Sequence, residues 1–72
     1  MWTIVYIAHN RNRAQILKER LEEEGIMVQL RTVGLAGAEE AVHNYIELLV
    51  PELEAEEATE IIQAALGGHF PS

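Results

Sequence analysis

The side chains able to do chemistry in this chain gather in one place, the run His9-Asn10-Arg11-Asn12-Arg13. It lies where an apolar stretch ends and a helical pattern begins. Free backbone N–H groups at a helix start, together with two guanidinium groups, suit a small anion. His9, Asn10, Arg11 and Arg13 are therefore the candidate ligand residues. The plain alternative is that both arginines are solvated or pair with the abundant glutamates. Glu39 and His43 are four residues apart and could share one helix face, with His69 as a third ligand, but no known metal motif contains this pair and no metal site is assigned. Catalysis has little to work with. The chain has no cysteine and no aspartate, and its one serine is Ser72. Its glutamate runs read as solvated helix faces, so no catalytic residue is assigned and a non-enzymatic role is expected.

The elements that position this corner follow from the pattern on either side. Residues 2–8, WTIVYIA, are branched and aromatic with one polar member, Thr3. They predict a strand with Trp2, Ile4 and Tyr6 on one face and Thr3, Val5 and Ile7 on the other. Asn10 can cap a helix running from Arg11 to about Glu24, with Ala14, Leu17 and Leu21 on its apolar stripe and Gly25 to end it. The charges of this helix oppose its dipole, with Arg11 and Arg13 at the positive end and Glu22 to Glu24 at the negative end. Residues 26–31 alternate as a half-buried strand with Ile26, Val28 and Leu30 inward, and residues 32–37 read as a glycine-containing connection.

Residues 38–50 fit two patterns. Ala38, Ala41, Val42, Tyr45, Ile46 and Leu49 form a helical stripe, whereas YIELLV also fits a strand with Ile46, Leu48 and Val50 inward. A short helical turn over 38–43 followed by a strand over 45–50 is the favoured division, and Pro51 permits either. Residues 54–66 form a second helix with Ala55, Ala58, Ile62, Ala65 and Leu66 inward and Glu54, Glu56 and Glu57 favourably placed in the first turn. Gly67 and Gly68 stop it. Residues 1–68 then make one domain and 69–72 a tail, whose Phe70 could dock on a neighbour.

Strand, helix, strand, strand, helix is an α+β order. It fits a ferredoxin-like βαββα sandwich, with an antiparallel sheet under two helices on one face and the first strand beside the third. The usual fourth strand is absent, which leaves the first strand with an open edge and one sheet face uncovered. Trp2, Ile4, Tyr6 and Tyr45 are the expected patch for covering it.

Composition points the same way. A domain of 72 residues buries only about 60% of its unfolded surface, and without cysteine a second chain is the natural source of missing core. A homodimer or higher homo-oligomer is expected, through the open edge or the open face. The net charge of −7, from twelve glutamates against four arginines and one lysine, excludes the basic patch that nucleic acid requires. No apolar run approaches a membrane span of about 20 residues, and no charged leader precedes the first strand, so a cytoplasmic protein is expected. No cofactor is called for.

The phrases WTIVYIA, LKERLEEEGI and IELLVPE followed by EAEEATEII resemble the small bacterial family described as putative prokaryotic signal transducing proteins. The similarity runs over nearly the whole chain. It implies a ferredoxin-like, PII-like fold, favours the strand reading of 45–50, and implies a regulatory or ligand-sensing role or, alternatively, an interaction module without a small ligand. His9 stands where relatives often have proline, and Leu53 where they often have a serine cap. Similar sequences sometimes carry a glutamate decarboxylase label. That chemistry needs a Schiff-base lysine in a large cofactor pocket, and Lys18, the one lysine, lies on a surface helix.

Overall fold

A computed structural model describes residues 1–34 and 45–67. The chain forms strand β1 (Trp2–Ala8), helix α1 (Arg11–Glu23), strands β2 (Gln29–Val33) and β3 (Tyr45–Pro51), a 3₁₀ turn over Glu52–Glu54, and helix α2 (Ala55–Ala65). The three strands make an antiparallel sheet in the order β1-β3-β2. This is the α+β, ferredoxin-like arrangement expected from the element order, with β1 beside β3 and both helices on one side.

The core shows which side. Ala14, Leu17 and Leu21 of α1 and Ala58 and Ile62 of α2 are buried together with Ala8, Ile26, Ile46, Leu48 and Val50. Leu48 and Val50 are fully enclosed. They sit on the central strand, so the alternate residues of β3 form the floor under both helices. Leu30 and Val28 pack at the margin of this cluster, as the alternation of residues 26–31 requires.

Helix α1 begins and ends as its residues dictate. Asn10 holds an extended backbone, and its side-chain oxygen accepts from the Arg13 N–H at 2.7 Å. This satisfies one of the N–H groups a helix start leaves open. At the other end Gly25 takes φ +85°, Ile26 N–H reaches back to Leu21 C=O at 3.0 Å, and Gly25 N–H reaches Glu22 C=O at 2.9 Å. That pair of bonds is the Schellman arrangement, which needs a residue able to occupy the left-handed region. The opposed charges of the helix are partly offset by Lys18, which pairs with Glu22 at 2.9 Å, and by Arg20 in the last turn.

Four details depart from the sequence reading. β2 is displaced, running over 29–33 where residues 26–31 were expected, so Thr32 and Val33 extend the ladder to meet Ile46 and Tyr45. Helix α2 starts one residue late, because a 3₁₀ turn takes up Glu52–Glu54 after Pro51, and it stops at Ala65 with Leu66 as its cap and Gly67 in the left-handed region at φ +71°. Leu66 lies beyond the helix at 40% exposure, while Ile61 packs against the core in its place. The largest departure is in β1. Its register slips between Ile4 and Tyr6, so that Ile4 opposes Leu49 and Tyr6 opposes Leu48. A bulge places two residues against one and inverts the alternation beyond it. Tyr6 is thereby turned toward the helices and packs on the core. Ile7 is turned away from it and is 44% exposed. The expected turn over 38–43 and the tail 69–72 lie outside the described residues.

Candidate functional site

Two regions carry the residues singled out above. The first is the corner between β1 and α1. His9, Asn10, Arg11 and Arg13 are all exposed there. The bulge matters locally, because it aims the Tyr6 ring at the start of α1, and the Arg13 guanidinium donates to the Tyr6 hydroxyl at 3.4 Å. The cap consumes the Arg13 backbone N–H. The backbone N–H groups of Arg11 and Asn12 are among those a helix start leaves without an intrahelical partner. Neither Arg11 nor Arg13 makes an ion pair with a carboxylate among the described residues. The corner is thus a small exposed patch of positive charge on an acidic chain.

Among the described residues, the grooves beside this corner are shallow. A shallow groove of about 240 Å³ between the helices is lined by Arg13, Ile16, Leu17, Ala65 and Leu66, and a neighbouring one of about 210 Å³ by Ile16, Glu19, Arg20, Glu23 and Ala65. Both fall below the ~300–1,000 Å³ usual for organic-ligand sites. A depression of about 350 Å³ is lined by Glu19, Glu22 and Glu23 alone, whose charge disfavours anions. Among the described residues no three His, Cys, Asp or Glu side chains converge to hold a metal ion. Glu39, His43 and His69 lie outside them.

The second region is the sheet face turned away from the helices. Strand register fixes its membership, since residues directly opposite across antiparallel strands point the same way. Ile4, Leu49 and Gln29 form one row, Ile7, Glu47 and Arg31 the next, with Trp2 beside Pro51 at one end and Tyr45 beside Val33 at the other. Trp2 is 36% exposed and Ile4 42%. Of the four residues expected on this patch, Trp2, Ile4 and Tyr45 share the face and Tyr6 does not. Ile7 stands there instead. Simple alternation could not find it, because the inversion depends on the β1–β3 register.

The same register brings together a pair that sequence reasoning missed. Arg31 donates from Nε to Glu47 Oε1 at 2.7 Å, with Nη2 2.6 Å from the same oxygen. The Glu47 side chain is only 12% exposed and that of Arg31 is 60% exposed. Sixteen residues separate them, so no local spacing rule connects the two.

Fold and surface together define a small α+β module in which, among the described residues, the helices cover one sheet face and the other keeps Trp2, Ile4 and Ile7 exposed around a buried Leu49. The family model described as "Putative prokaryotic signal transducing protein" matches residues 2–65, and the chain belongs to that family. No curated protein and no solved structure matches it. None of the described helices is long and apolar enough to cross a membrane.

Proposed function

We propose that this chain is a non-enzymatic signal-transducing module that works as a homo-oligomer, assembled through sheet surface that a single copy leaves bare. The observation that carries this reading is the bare face itself: Trp2, Ile4 and Ile7 expose large apolar area on the side opposite the helices. A two-layer domain normally covers such a face or uses it. The family description supports a signalling role. The corner of His9, Asn10, Arg11 and Arg13 is the place for a small anionic effector, and a partner protein is the other input such a module could read.

Light scattering tests the assembly. A mass of twice the monomer or more is expected at high micromolar concentration, and a monomer mass throughout contradicts the reading. Titration with inorganic phosphate tests the effector site. The amide resonances of residues 9–13 are expected to shift, and an unchanged spectrum removes the anion and leaves an interaction module without a small ligand.

A further inference from the structure

Resting on the homo-oligomer reading, we infer that the bare sheet face, and not the open edge of β1, is the surface that receives a second copy of this chain, with the Arg31–Glu47 pair as its electrostatic centre. The edge is poorly suited. A bulge interrupts β1 between Ile4 and Tyr6, and a bulged edge strand breaks the regular row of outward N–H and C=O groups that a partner strand must match.

The face differs from the rest of the surface in charge. The helix side is heavily charged: α1 carries Arg11, Arg13, Lys18 and Arg20 beside Glu19, Glu22 and Glu23, and α2 carries Glu56, Glu57 and Glu60. Among the residues that strand register places on the bare face, the charged ones are Arg31 and Glu47, and they neutralise each other at 2.6 Å. Two copies, each of net charge −7, repel at long range. They can meet through this face without bringing net charge into contact. The pair also suits a two-fold interface, in which each patch meets its own copy. Arg31 is mostly exposed and already spends Nε and Nη2 on one Glu47 oxygen. Its remaining N–H groups lie within a face that a partner's Glu47 also occupies, so a symmetric approach lets each arginine bridge two carboxylates.

Size sets the expected strength. Strands of at most seven residues, rising ~3.4 Å per residue and spaced ~4.8 Å, give a face of roughly 24 by 14 Å. Two such faces give roughly 700 Å² before their rims are counted, below the ~1,200 Å² of a standard specific interface. Association is therefore concentration-dependent and responds strongly to a single charge.

The test measures association by light scattering from micromolar to about millimolar concentration. Arg31 lies on β2, about 10 Å from β1, so its charge acts on a face interface and spares an interface through the β1 edge. Arg31→Glu and the gentler Gln29→Glu, which adds charge to an exposed row position without removing the pair, are each expected to weaken association at least about tenfold. Circular dichroism confirms that each variant remains folded. The double exchange Arg31→Glu with Glu47→Arg is expected to restore association toward wild type. Unchanged association in both single variants overturns the face assignment while leaving the homo-oligomer intact. A wild-type chain that stays monomeric over the whole range overturns the reading beneath it.

Discussion

Replacing Leu48 with alanine is expected to cost about 2–5 kcal/mol, the usual loss for deleting a large buried aliphatic side chain. Leu48 is fully buried at the middle of the central strand, facing Tyr6 on one side and Leu30 on the other. Both helices pack over the cluster it belongs to. A domain of this length holds only about 4–11 kcal/mol in total at ~0.05–0.15 kcal/mol per residue. The variant therefore loses a large share of its stability. Urea unfolding followed by circular dichroism should show the midpoint move sharply down, and the slope should stay as in wild type if the native state remains compact. A midpoint within a few tenths of molar of wild type contradicts the placement of Leu48 at the centre of the core.

The second large effect separates two neighbours that simple alternation would rank the other way. Tyr6→Ala is expected to destabilise by about 2–4 kcal/mol, somewhat under the full cost of deleting a buried aromatic ring because Tyr6 is only partly enclosed. Ile7→Ala is expected to cost below about 1 kcal/mol in the monomer, since much of that side chain is already in water. Both should be measured by urea unfolding at low protein concentration, where association does not contribute. Equal losses at the two positions, or a larger one at Ile7, contradict the bulge between Ile4 and Tyr6. The loss at Tyr6 also bears on the corner, because its hydroxyl accepts from Arg13. A Tyr6→Phe variant, which keeps the ring, isolates that contact.

The contrast between these neighbours shows where the sequence is readable. Helix α1 is legible because every rule that specifies it is local: Asn10 caps the first turn, Ala14, Leu17 and Leu21 repeat at helical spacing, and Gly25 closes the end. The identity of the sheet floor is legible for the same reason, as Ile46, Leu48 and Val50 alternate on one strand. The element order then leads to the pairing of β1 with β3. What escapes is set by pairing between distant segments. The bulge depends on how seven residues of β1 fit against β3, and nothing within WTIVYIA announces it. The Arg31–Glu47 pair depends on the β2–β3 register, which the displaced start of β2 moved away from the expected strand. The 3₁₀ turn after Pro51 likewise took the first residue expected of α2.

These shifts change the candidate surface more than the fold. The patch expected to hold four aromatic or aliphatic residues keeps Trp2, Ile4 and Tyr45, exchanges Tyr6 for Ile7, and acquires a neutral ion pair at its centre. The aromatic ring lost from the face serves instead to connect the core to the polar corner. Arg13 on α1 and the exposed face of Ile4 and Ile7 thus lie on opposite sides of β1, with Tyr6 contacting the first.

Trp2 gives the most direct test of the central claim, because it is the one tryptophan in the chain and it stands on the bare face at 36% exposure. Its fluorescence should be followed as the protein is diluted from high to low micromolar concentration. The emission maximum is expected to move to longer wavelength as the indole passes into water, over the same range in which the mass falls to that of the monomer. Emission that stays constant while the mass changes places the interface elsewhere, and emission and mass that both stay constant at the monomer values contradict the assembly itself.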